Sequence, residues 1–310
     1  MSEHKSCFKS PDLLMTIKIS MFGILAILAI ILFVVKINRQ YDLNKNTDIF
    51  VYIEGGSFVQ QDTDAVSGKV YAGFDHTISS FSIAKYETTY QLWHDVYRWA
   101  RKNGYFFSNP GKEGAWGKPG HLAVRYLGEP VTSVSFYDVV VWCNAYSQMK
   151  KLVPVYNNEN GNTIRDSRDS NMDELAKMVV NMSANGFRLP TEGEHRFAAT
   201  CRGKFGNPVV NQNMSYSPKS VALTDANELG LCGMAGNVWE WCWDWDGSLP
   251  ENAQLDYHGP DTGTGKIIAG GRAFYSGMLF AGNRVGIMPD YYNSYIGFRL
   301  VKNLTDRDLK

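Results

Sequence analysis

Glu240 stands in the run Trp239-Glu240-Trp241-Cys242-Trp243, where an indole recurs at every second residue. Alternation at period two predicts an extended segment with one aromatic face. Gly233 and Gly236, just upstream, permit a close approach that a side chain would block. A carboxylate in ring-lined surroundings must be paired, ligate a cation, or point at water. Glu192, Glu194 and His195 invite an acid–base reading. However, Thr191-Glu192-Gly193-Glu194 is a T-x-x-E capping box, and both carboxylates suit a helix N-terminus. None of the six histidines (His4, His76, His94, His121, His195, His258) forms a ligand pair at helical spacing. Of the five cysteines, Cys7 precedes a hydrophobic run, and Cys143, Cys201, Cys232 and Cys242 are free to pair in an oxidising compartment.

The elements that must position these groups follow from pattern. Ile19–Val35 is an uncharged 17-residue run, spanning about 26 Å as a helix. No small-x-small cleavage site comes after it, and no cysteine that could take a lipid, so it reads as a retained signal anchor. Lysines flank both sides, which leaves the positive-inside rule nearly silent; short N-terminal anchors commonly translocate the domain C-terminal to them. Val51–Phe58 reads as a strand ending at Gly55-Gly56, and Ile78–Ile83 as another. Thr88 or Thr89 caps a helix carrying Leu92, Val96 and Ala100 that stops near Gly104. Ser135 opens a second helix, with Asp138 placed to complete its capping box and Trp142, Ala145, Tyr146 and Met149 as its buried stripe. Residues 157–184 are a polar excursion with a short helix within 173–180. The capping box at Thr191 opens a helix to about Thr200. Lys+Arg and Asp+Glu balance at 31 each, which leaves no electrostatic footprint for nucleic acid.

GMAGNVWEW at 233–241 resembles the signature of the formylglycine-generating enzyme family, also called the sulfatase-modifying-factor family. Other strings agree in order: GGSF at 55–58, KYETTYQLW at 85–93, PVTSVSFYDVVVWCNAYS at 130–147, NGFRLPTEGEHRFAA at 185–199, Gly270-Gly271, and IGFRLV at 296–301. The resemblance implies an α+β, irregular, loop-rich fold of the C-type-lectin-like kind, here preceded by one transmembrane helix. It does not by itself imply an activity. The resembled oxidases hold copper with two cysteines, and those positions fall at Tyr275 and Phe280 in an ungapped reading. Neither is a thiolate, which makes copper and formylglycine generation unexpected. The family's iron-dependent branch uses histidines in an added domain that has no counterpart here. In animal members, the cysteines matching Cys143 and Cys201 pair with positions that read Val285 and Leu300 in this chain, which implies buried thiols. A Cys232–Cys242 bridge stays open.

The resemblance also implies a calcium site from the carbonyls of Gly236 and Val238 and the carboxylate of Glu240. The remaining ligand position reads Gly233, which removes one hard oxygen and weakens the site. A second resemblance is to the variable proteins of diversity-generating retroelements, which place substitutable residues between GG and the closing GFRLV. Phe274, Tyr275, Ser276, Met278, Leu279, Phe280, Tyr291, Tyr292 and Tyr295 fall there, and exposed Tyr and Phe supply rigid contact area. The expected organisation is a cytoplasmic tail (1–18), a signal anchor (19–35), a tether (36–50), a sulfatase-modifying-factor-like domain (51–303) and a polar tail (304–310). The expected function is a membrane-anchored, extracytoplasmic binding or display protein for a protein or small-molecule ligand. The alternative is a sulfur-directed, oxygen-dependent oxidoreductase with a rearranged site.

Overall fold

A computed structural model describes Gly23 and residues 49–304, except 64–69, 123–127, 169–170, 205–208, 211–216, 272–278 and 281–282. The chain divides into units Met1–Lys45 and Asn46–Lys310, and the second carries the fold. The anchor at 19–35 lies outside the described residues apart from Gly23. Among the described residues no helix is long and apolar enough to cross a membrane.

In chain order the second unit begins with Phe50–Ile53 (β1), Gly56–Thr63 (β2), Val70–Ile78 (β3) and Phe81–Ala84 (β4). Helix α1 is Tyr90–Lys102, followed by Lys112–Glu113 (β5), Val131–Thr132 (β6) and helix α2, Phe136–Met149. Then come Tyr156–Asn157 (β7), the short helix Met172–Ala176 (α3), Val179–Val180 (β8), Phe187–Arg188 (β9) and helix α4, Glu192–Ala199. The remainder holds Val209–Val210 (β10), Trp239–Trp245 (β11), Gln254–Leu255 (β12), Lys266–Ala269 (β13), Leu279–Phe280 (β14), Arg284–Ile287 (β15), Ile296–Gly297 (β16) and Val301–Lys302 (β17).

Three sheets carry the fold, in the orders β1-β4-β17-β9, β15-β13-β11-β16 and β12-β3-β2. The pairs β11–β16 and β12–β3 are parallel. The expected strand over 51–58 breaks at Gly55, and the chain restarts as the β2–β3 hairpin. The expected strand over 78–83 is also two strands. Ser79 donates its N–H and hydroxyl to Asp256 (2.7 and 2.6 Å), and Ser80 Oγ accepts from Gly55 N at 2.9 Å, so this corner is tied elsewhere and cannot continue a ladder.

The helices form where local chemistry placed them. Thr89 caps α1 through Leu92 N, and Ser135 and Asp138 form the capping box of α2. Thr191 and Glu194 form that of α4. Helix α2 is apolar on nearly every side and is accordingly buried on nearly every side, from Phe136 to Ser147. Met149, expected in its stripe, is 38 % exposed at the helix end. In the core, Trp93 stacks on Trp142 at 5.5 Å with Phe298 edge-on to both. The buried indole N–H groups are satisfied: Trp93 donates to Pro110 O, Trp142 to Trp93 O and Trp241 to Val134 O. A second cluster joins Phe58, Ile78 and Phe81 to Phe197 of α4 and to Leu231 and Met234.

Candidate functional site

Strand β11 alternates as its sequence predicts, but the fully buried indole is Trp241, while Trp239 and Trp243 are half-buried. Glu240 points the other way and is fully buried. Its oxygens accept two hydrogen bonds from Arg299, Nε to Oε2 at 2.5 Å and Nη2 to Oε1 at 2.6 Å. His195 Nε2 lies 3.1 Å from Oε2, so that nitrogen carries the proton toward the carboxylate. Burial alone would raise the Glu240 pKa. The charge of Arg299 and the bonds from His195 and Arg299 override it and hold the carboxyl below its usual range. Arg299 also donates to Ala84 O and Cys232 O, locking β4, the 232 turn and β11 together. His195 therefore has a structural task that neither its neighbours in sequence nor the family string signalled.

Glu87 sits beside this pair. Its Oε1 accepts from Asn237 Nδ2 at 3.0 Å, and Oε2 has no hydrogen-bond partner among the described residues. Burial pushes its carboxyl up to about 7, with Arg299 opposing and Glu240 adding to the rise. Gly233 (φ +71°) faces it, and a Cβ there would collide with the Glu87 carboxylate. Gly233 is thus required by packing. Both oxygens of Glu240 are committed to a guanidinium, and Gly233 brings no side-chain oxygen. The set Gly236, Val238 and Glu240 consequently does not fit a calcium ion. Among the described residues, no three His, Cys, Asp or Glu side chains converge as a metal site.

Cys143, Cys201, Cys232 and Cys242 are all buried, and among the described residues none is in a disulfide, so the open Cys232–Cys242 bridge is not formed. Burial pushes the Cys143 and Cys242 thiols well up, the state of an inert cysteine.

Of the expected binding residues, Phe274, Tyr275, Ser276 and Met278 lie outside the described residues. Leu279 and Phe280 form β14 against β10, and their side chains are likewise not described. Tyr291 and Tyr292 are 48 % and 54 % exposed, and Met288 is 59 % exposed beside them. Tyr295 is half-buried. The turn that carries them is pinned by Phe136 N to Pro289 O, Ser133 N to Asn293 O, Lys112 Nζ to Ser294 Oγ and Trp239 N to Tyr295 O, all 2.8–3.0 Å. Tyr292 borders a concavity of about 550 Å³ with Tyr137 and Arg168. Tyr291 borders a smaller one of about 350 Å³ with Met288 and Asp246.

The family model of the sulfatase-modifying factor enzyme 1-like domain matches residues 38–304. This chain belongs to that family. It is 30 % identical to the chaperone protein LppX of Paenibacillus barcinonensis, over 66 % of this chain and 75 % of that protein. It is 30 % identical to the formylglycine-generating enzyme of Streptomyces coelicolor, over 37 % of this chain and 46 % of that enzyme. The chain thus spans three-quarters of one curated relative and under half of the other. Among solved structures, Treponema denticola variable protein 1 superposes with a TM-score of 0.63 at 25 % identity, over 82 % of this chain and 95 % of that one. The mixed α/β fold expected of the sulfatase-modifying-factor family is the fold observed.

Several buried charges were not legible in sequence. Arg188 makes a two-pronged pair with Glu194, both bonds at 2.7 Å, and Arg284 reaches Glu192 at 3.0 Å. The two carboxylates assigned to the helix N-terminus are thus also ion-pair partners. Lys266, at the head of β13, is only 2 % exposed. A lysine opening an apolar run was the one available signal.

Proposed function

We propose that this chain is a membrane-anchored, extracytoplasmic binding protein on a formylglycine-generating-enzyme-like scaffold, without formylglycine-generating activity. The observation that carries the reading is the 288–295 turn. Two tyrosines stand in solvent on a backbone fixed at four points, and each borders its own concavity. Rigid tyrosines supply contact area at small entropic cost, and concavities beside them give a ligand somewhere to insert. On sequence grounds the 274–280 segment extends this surface, with Tyr275 and Phe280 where the resembled oxidases carry copper-binding cysteines. Similarity to a protein named a chaperone and to one named a variable protein supports a non-catalytic use of the fold. The ligand is a protein or small molecule, and residues 19–35 hold the domain to the membrane.

The test has two arms. The purified chain, given copper, oxygen and a cysteine-containing sulfatase peptide, should convert no cysteine to formylglycine by mass spectrometry. Turnover above a metal-only control would favour the oxidoreductase reading. In the second arm, the immobilised chain probes arrays of extracellular proteins and glycans. Tyr291→Ala and Tyr292→Ala should each weaken the captured interaction by about 1 kcal/mol or more and leave the melting temperature nearly unchanged. A double variant that captures the same partners with equal affinity would place the binding surface elsewhere.

A further inference from the structure

A third cavity, of about 620 Å³, opens beside β13 and does not involve the tyrosine turn. Its lining is largely apolar and includes Leu175, Met178, Val180, Tyr156, Trp243 and Trp245. Within it the Arg188–Glu194 pair is closed on itself. Asp256, His258 and Asp261 are at least partly exposed and stand at the rim. Among the described residues the one amine lining it is Lys266.

Lys266 pairs in register with Trp245 and Ile287. Its Nζ lies 3.8, 4.4 and 4.7 Å from the ring centroids of Trp245, Trp243 and Phe136. It makes one hydrogen bond, donated to Trp243 O at 2.7 Å, and no ion pair among the described residues. A lysine kept inside a protein for stability is normally neutralised by a carboxylate, because an isolated buried ammonium is costly. The three rings offset part of that cost by cation–π attraction, but among the described residues no carboxylate pairs with the amine. The one bond to Trp243 O leaves the nitrogen free to act while holding it at the cavity wall.

We infer that Lys266 is a Schiff-base lysine and that this cavity takes a small aldehyde or ketone with an apolar body of aromatic size. The apolar walls fit the body of such a ligand, and the acidic rim disfavours an anionic one. Burial pushes the Lys266 amine down to about 7, with Asp244 pulling the other way, so a large share is free base at neutral pH. The nitrogen lone pair attacks the carbonyl carbon and forms the C–N bond, while the π pair moves to oxygen, which takes a proton. The nitrogen gives up one proton, and the carbinolamine then loses water to leave C=N. Amine plus carbonyl gives imine plus water, with no change of oxidation state. This inference is independent of the proposed binding function, since it uses different lining residues.

The test uses the full chain in detergent at pH 7, benzaldehyde as probe, borohydride to trap the imine, and peptide mass spectrometry. Lys150 and Lys204, both exposed, serve as the reference amines, and an ordinary exposed lysine is almost wholly protonated at that pH. Lys266 should therefore label at least about tenfold faster than either. Lys266→Arg, which keeps the charge, should abolish the fast adduct. Val180→Trp should narrow the cavity and slow labelling while the amine remains. The wild-type chain alone can overturn the inference: labelling of Lys266 no faster than Lys150, or none at all, removes it.

Discussion

The guanidinium of Arg299 is held by a carboxylate and by backbone carbonyls from segments distant in sequence. Arg299→Met would leave Glu240 in the interior with His195 but without its guanidinium partner. It should destabilise the fold by about 3–5 kcal/mol in chemical denaturation, and a paired Glu240→Met change should recover part of that loss. Full additivity would mean the two groups do not act as a pair. Glu87 behaves differently. Its folded pKa of about 7 lies above the ordinary carboxylate value, so the folded state binds its proton more tightly. That contribution is full below about pH 4.5 and is lost as pH rises through about 7. Glu87→Gln carries no charge at any pH. Relative to the parent it should therefore gain up to about 1.4 kcal/mol per pH unit across that window. Denaturation midpoints at pH 5 and pH 8 measure this, and a difference independent of pH would show that Glu87 is ionised in the fold. The sequence showed that Glu240 needed a partner but could not say which. Arg299 lies 59 residues away, and no local spacing encodes such a contact.

Helix starts were the most legible elements, because a cap is decided within four residues. Thr89, Ser135 and Thr191 all cap as read. Asp138 does more than its capping box requires. It is fully buried, and besides Ser135 it accepts from the backbone of Ser108 and Asn109, from Asn109 Nδ2 and from Ser167 Oγ. Ser135→Ala should cost about 1 kcal/mol, the usual loss of a cap. Asp138→Ala should cost at least about 3 kcal/mol, because it strips several buried donors at once. Equal losses in urea titrations would mean that the 108–109 and 167 segments do not depend on the helix. Strand limits were less legible. The breaks at Gly55 and at Ser79-Ser80 follow from bonds to Ser80 Oγ and to Asp256, partners that lie 25 and 177 positions away.

At the scale of the molecule, the proposed anchor predicts that the full chain sediments with membranes and resists carbonate extraction, while a chain beginning at Asn46 stays soluble. Recovery of the full chain in the soluble fraction would end that reading. The folded unit has a property that bears on how it is made. Val301 sits between Ile83 on one side and Arg188 on the other, and Ile296–Gly297 completes the sheet that holds Glu240. Two sheets are therefore closed by residues synthesised after almost everything they join. At about 5–20 residues per second, the ribosome needs on the order of 15–60 s to reach them. Counted from its own synthesis, β4 waits on the order of 10–40 s for β17, and Glu240 waits on the order of 3–12 s for its arginine. Both sheets therefore close late, after nearly the whole folded unit has emerged.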